Sequence, residues 1–121
     1  MEQQGYKKLR VYGYAHELVK MVYRATESFP KSELFGLISQ MRRAAVSVVA
    51  NIIEGHARGS RRELRQFLFI ANGSLVELEY YCELALDLGY LSKEQFAQLD
   101  EKRRMVGSLV GAFIRTLKSK T

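Results

Sequence analysis

NIIEGHARGSRRELRQF, residues 51–67, is the stretch on which the fold turns. Apolar residues recur at helical spacing before and after it, and Gly55 and Gly59 stand between the two runs, where a chain reversal needs residues that tolerate left-handed backbone. The reversal accounts for the glycines but not for Arg58, Arg61, Arg62 and Arg65, set against the single acid Glu63. The first turn of a helix favours acids, because its dipole presents positive charge there. Arginines at those positions point to a purpose other than helix stability.

Upstream, a capping serine, Ser32, opens a helix over 32–54 that stops at Gly55. Before it, Ala15, Leu18, Val19, Val22, Ala25 and Phe29 share one face of a helix over 11–28. That helix ends ahead of Pro30, because the residue preceding a proline is pushed out of helical geometry. Downstream, Ser60 and Glu63 form a capping box opening a helix over 60–88. Its seam of Leu64, Leu68, Ala71, Leu75, Leu78, Cys82 and Ala85 alternates steps of four and three, the period of a left-handed bundle. Gly89 ends it, and Ser92 with Gln95 repeats the capping logic for a last helix over 92–118, whose stripe is Leu99, Val106, Val110, Phe113 and Leu117. Short connections make neighbouring helices antiparallel. The expected fold is all-α, an up-down-up-down antiparallel four-helix bundle formed by one domain over 1–121.

The 121 residues suffice to bury a core without a staple, and 47% hydrophobic with 26% charged residues is the composition of a globular chain. The single cysteine, Cys82, excludes an intrachain disulfide and a zinc site built on paired cysteines. No apolar run approaches the ~20 residues that span a bilayer, and MEQQGYKKLR has no signal core. A cytoplasmic protein with no membrane partner is expected.

The net charge is +6 and the pI about 9.6, which favours an anionic partner. Up-down topology brings the start of the first helix, the 55–60 turn and the end of the last helix to one pole. Lys7, Lys8, Arg10, Arg58, Arg61, Arg62, Arg65, Arg115, Lys118 and Lys120 fall there against Glu2, Glu54 and Glu63, ten cations to three acids. That is +7 at one end and −1 for everything else. These ten are the candidate nucleic-acid-binding residues, contacting RNA or DNA through the phosphate backbone; a solvated or intersubunit ion-pairing surface is the alternative. Tyr6, Tyr12 and Tyr14 lie near the pole, where they either stack on bases or pack the helix start.

In the second helix Leu34, Phe35, Leu37, Ile38, Met41, Ala45, Val46, Val48, Val49, Ile52 and Ile53 spread over about half the circumference, more than one bundle face needs. Phe69, Ile70, Val76, Tyr80, Tyr81, Leu84 and Leu88 do the same in the third, lying off its seam. Such surplus marks a partner surface, and homo-oligomerisation through these two helices is expected. Gln40, Arg43, Ser47, Asn51 and Glu54 make a polar ridge, and Arg42 points into the apolar arc, where a guanidinium seeks a carboxylate such as Glu77, Glu79 or Glu83. Gln40, Arg42, Arg43, Asn51, Glu54 and Glu77 are candidate structural or interface residues.

Two runs carry a family resemblance: FPKSELFGLISQMRRAAVSVVANIIEGHARGS, residues 29–60, and FLFIANGSLVELEYYCELALDLGYL, residues 67–91. With their FP-x-x-E-x-[YF]-GL, QxRRAA, N-[IV]-x-EG and IA-x-GS-x-E elements, they resemble the four-helix bundle proteins encoded in 23S rRNA intervening sequences. Related to these are the accessory variability proteins of diversity-generating retroelements. The resemblance implies a barrel-like homopentamer. For the retroelement branch it also implies binding to a reverse transcriptase and to template RNA or its cDNA hybrid. Ile53 is bulkier than the family's usual small residue and His56 replaces a frequent aromatic; neither departure separates the branches.

Nothing points to an enzyme. Di-metal bundles need Glu-x-x-His pairs, and neither His16 nor His56 has one. There is no P-loop, no nucleophile elbow and no cofactor motif, and Cys82 falls on a core seam. The function expected is that of a non-enzymatic nucleic-acid-binding accessory protein that docks a reverse transcriptase. The alternatives are the rRNA intervening-sequence branch and a protein scaffold with incidental nucleic-acid affinity.

Overall fold

The computed structural model describes residues 5–118, Lys118 by its backbone alone. A 3-10 turn, Gly5–Lys8, leads into α1, Arg10–Thr26; α2 is Leu37–Ala57, α3 Arg61–Asp87 and α4 Lys93–Lys118. No strand occurs among the described residues. Each helix packs on the next, and α1 also packs on α4, so the four close into a bundle. Val22, Met41, Val48, Leu68, Leu78, Val106 and Val110 sit at its centre, all but inaccessible to solvent.

Three boundaries depart from the sequence expectation. α1 ends at Thr26, two residues before Ser28, because Phe29 must leave the helix to enter the core, where its ring meets Tyr90 at 5.4 Å. α2 begins at Leu37 instead of Ser32. Pro30 starts a 3-10 turn, Lys31–Glu33, and Glu33 takes the capping role: its Oε1 accepts the Leu37 N–H at 3.0 Å. The other carboxylate oxygen of Glu33 accepts the Tyr90 hydroxyl at 3.1 Å, tying the entry of α2 to the α3–α4 connection. Tyr90 is held above the ordinary phenol range by that hydrogen bond. The turn also rotates Leu34 and Phe35 away from the helical arc, leaving the Phe35 ring 93% exposed.

The third departure is at Gly55, which does not stop α2. The helix runs on to Ala57, and the left-handed residue is Gly59, at φ 77°. Gly55 is buried where α2 meets α3: a Cβ there would lie 2.8 Å from the Phe67 Cβ and 3.0 Å from a Leu64 methyl. Its part is close approach of two backbones.

The caps beyond the reversal follow the sequence reading. Ser60 Oγ accepts the Glu63 N–H at 3.1 Å. Ser92 and Gln95 exchange both capping bonds, at 2.9 and 3.0 Å. At Gly89, φ 80°, the Tyr90 N–H reaches the Ala85 carbonyl and the Gly89 N–H that of Leu86, the paired bonds of a Schellman end.

Candidate nucleic-acid interface

Chain reversal brings the three predicted segments together. The 3-10 turn packs on the end of α2, with Gly5 against the His56 ring. From the start of α3, an Arg61 guanidinium N–H donates to the Thr116 carbonyl in the last turns of α4, at 3.4 Å. A cation among helix C-terminal carbonyls is favourable. This contact explains an arginine in the first turn of α3: its charge is directed at the negative end of the neighbouring helix.

Arg58 is the most engaged of the predicted cations. Its guanidinium lies 3.1 Å from Glu54 and 3.6 Å from Glu63, with the Phe67 ring 5.1 Å away, so it braces the turn that it was expected to leave for a partner. Arg65 stacks on Phe69 at 5.0 Å, and its buried Nε has no hydrogen-bond partner. Arg10 lies over Tyr14 at 5.8 Å. Lys7, Lys8, Arg62 and Arg115 are exposed. Among the described residues no ion pair involves Lys7, Lys8, Arg10, Arg61, Arg62, Arg65 or Arg115. The Lys118 side chain and all of Lys120 lie outside the description.

The polar ridge of α2 works largely within the subunit. Asn51 donates to the Ser47 carbonyl at 2.8 Å and to its hydroxyl at 3.0 Å, while buried Ser74 of α3 donates to the same hydroxyl at 2.8 Å. The Tyr81 hydroxyl donates to Gln40 at 3.3 Å. These bonds fix the register of α3 on α2. Arg43 and Glu77 face each other across a small groove there without an ion pair.

Arg42 does not reach a carboxylate. It turns toward α1, donating from Nε to buried Thr26 Oγ1 at 2.9 Å and stacking on Tyr23 at 4.5 Å. The reason is helical phase: Arg42 lies on the α1 side of α2, whereas Glu77, Glu79 and Glu83 belong to α3 on its other side. Glu79 pairs instead with Arg103 at 3.4 Å, and Arg103 also binds Asp100 at 2.7 Å. Next to this pair Cys82 is buried, and burial pushes its thiol up to about 12 against the opposing pull of Arg103. A thiol so protonated is a poor nucleophile.

Of the three tyrosines expected near the pole, Tyr6 in the 3-10 turn and Tyr12 on α1 form an aromatic row, and His16, which the sequence reading had not included, extends it. Tyr6 meets Tyr12 edge to face, centroids 5.3 Å apart, and Tyr12 lies parallel to His16 at 5.8 Å with 3° between the ring planes. Tyr14 turns the other way, packs on the core and has Lys102 at 5.3 Å. The i, i+4 spacing of Tyr12 and His16 was the available signal.

Among the described residues no cluster of three or more His, Cys, Asp or Glu is placed to hold a metal, and no helix of theirs is long and apolar enough to cross a membrane.

The chain resembles, over most of its length, a solved protein of unknown function from the S23 ribosomal protein family of Bacteroides thetaiotaomicron. The two are 25% identical with a TM-score of 0.78, over 87% of this chain and 95% of that one. No curated protein matches. The sequence model of the family described as 23S rRNA-intervening sequence protein matches residues 7–112, most of the bundle and much of its basic end, and the chain therefore belongs to the 23S rRNA-intervening sequence protein family.

Proposed function

We propose that this protein is a non-enzymatic, homo-oligomeric nucleic-acid-binding protein that holds RNA, or an RNA/DNA hybrid, by its phosphate backbone against the basic end of the bundle. One observation carries the reading: Lys7, Lys8, Arg61, Arg62 and Arg115 share that end with no acid paired to them among the described residues. Cations gathered in this way focus potential, and each phosphate they neutralise releases counterions. In the finer form of the reading, supported by the resemblance to retroelement accessory proteins, the oligomer delivers its nucleic acid to a reverse transcriptase.

The test is binding to RNA, hybrid and duplex DNA as a function of salt. A log–log slope steeper than about −3, the mark of several phosphates engaged, is expected for RNA and hybrid. Binding that barely changes with salt would exclude the reading. A stable complex with a reverse transcriptase encoded beside this gene checks the finer form.

Self-association is supported by apolar surface that the bundle leaves uncovered. Phe69, Val76 and Tyr80 run along the outer face of α3, each half or more exposed, and Val46 and Leu34 flank a groove beside α2. Patches of this kind usually belong to an interface. The two faces differ, so one copy's α2 face meets the next copy's α3 face in a closed ring, five copies being the number that the resemblance implies. Solution mass should be a multiple of 13.9 kDa. A single-copy mass at micromolar concentration would rule the ring out.

A further inference from the structure

We propose that Tyr6, Tyr12 and His16 form a stacking platform for unpaired bases, so that the basic end prefers single-stranded nucleic acid to duplex. The inference rests on the nucleic-acid reading above and adds the form of ligand that the site selects.

Tyr6 and Tyr12 are half-buried, His16 is exposed, and none of the three belongs to the hydrophobic core. Tyr14, two residues from Tyr12, packs on the hydrophobic core, but Tyr6 and Tyr12 are not among the side chains that do so. Neither tyrosine hydroxyl and neither ring nitrogen of His16 makes a hydrogen bond among the described residues. Yet the three rings form a continuous row, edge to face and then parallel, ending at an exposed imidazole. Beyond His16 the row meets an apolar groove lined by Val19, Val49 and Ile53, which shares Val46 with the α2 face assigned above to self-association.

Charge accompanies the row. Lys7 and Lys8 are exposed and lie in sequence between Tyr6 and Tyr12, and the turn that carries them packs on the His56 end of α2. Cations beside partly accessible aromatic rings are the combination that binds single strands: phosphates follow the charge and bases stack on the rings. A duplex keeps its base faces inside its own stack, so it reaches the lysines and arginines but not the rings. Arg61, Arg62 and Arg115 therefore act on both forms, and the rings on one.

The experiment compares Tyr12→Leu/His16→Leu with the unaltered protein at fixed salt. The probes are short labelled oligouridine and oligoadenine, the DNA strands of the same sequences, and an RNA duplex of equal length. Loss of two stacking faces should weaken single-strand binding by about tenfold or more while duplex binding stays within about twofold. Tyr12→Phe, which keeps the ring, should bind single strands as the unaltered protein does, which separates stacking from misfolding. If the double variant binds single strands normally, or loses single strand and duplex alike, the platform does not exist while the basic-end reading stands. If the unaltered protein binds none of the probes, both fall.

Discussion

Changing Arg61, Arg62 and Arg115 together to glutamine should lower RNA affinity about 100-fold near 0.1 M salt and flatten the log–log salt slope by about 2. Each removes one exposed cation able to meet a phosphate, and such charge-assisted contacts contribute on the order of 1 kcal/mol apiece. The bundle should survive. Arg62 and Arg115 make no ion pair among the described residues, and Arg61 gives up only a long hydrogen bond to the Thr116 carbonyl. Arg58→Gln is the internal comparison. Two carboxylates already hold that guanidinium, so its effect on the slope should be smaller than that of Arg62→Gln. Equal slopes for the triple variant and the unaltered protein would remove the basic end from the binding surface. Fluorescence anisotropy across a salt series measures both quantities.

Gly55→Val should destabilise the fold by about 3 kcal/mol and lower the midpoint of thermal unfolding by ~10 °C. The new Cβ would meet the Cβ of Phe67 at 2.8 Å, and that atom is fixed to the α3 backbone, so no rotamer change relieves the clash. The helices must part, which opens the core beside Ile52 and Leu68. Relief from glycine's poor helix propensity returns only a few tenths of a kcal/mol when the replacement is β-branched. Gly13→Ala is the opposite case. A Cβ there touches nothing within 4 Å, and Gly13 is the fourth residue of α1, so a gain of about 0.5 kcal/mol over glycine should appear as added stability. Thermal denaturation followed by circular dichroism reports both changes. A Gly55→Val protein as stable as its parent would mean that α2 and α3 approach less closely at this end.

The contrast between these two glycines shows how far the sequence could be read. Both interrupt a helical pattern, and Gly55 looked like the end of α2 because a reversal was due there. The reversal is real, but Gly59 makes it four residues later. What reserves position 55 for glycine is Phe67 on another helix, a neighbour that no local rule identifies. Ser32 is a similar case. It had the right chemistry for a cap, yet Pro30 set up a 3-10 turn and the Glu33 carboxylate took over. Arg42 was expected to find an acid; it found the hydroxyl of Thr26 and the ring of Tyr23 because its side chain points toward α1.

By itself the sequence determined the helices and their order. A four-three seam, capping boxes at Ser60 and Ser92 and a glycine end at Gly89 are local signals, and short connections leave antiparallel packing as the way to bury the apolar faces. It also put the segments that carry Arg10, Arg61 and Arg115 at the same end of the bundle, since that follows from topology. Which of those cations are free was decided only by the tertiary structure. Arg58 lies between two acids and Arg61 reaches the end of α4, while Arg62 and Arg115 are left to solvent, and this depends on ångström distances between helices that sequence spacing does not encode.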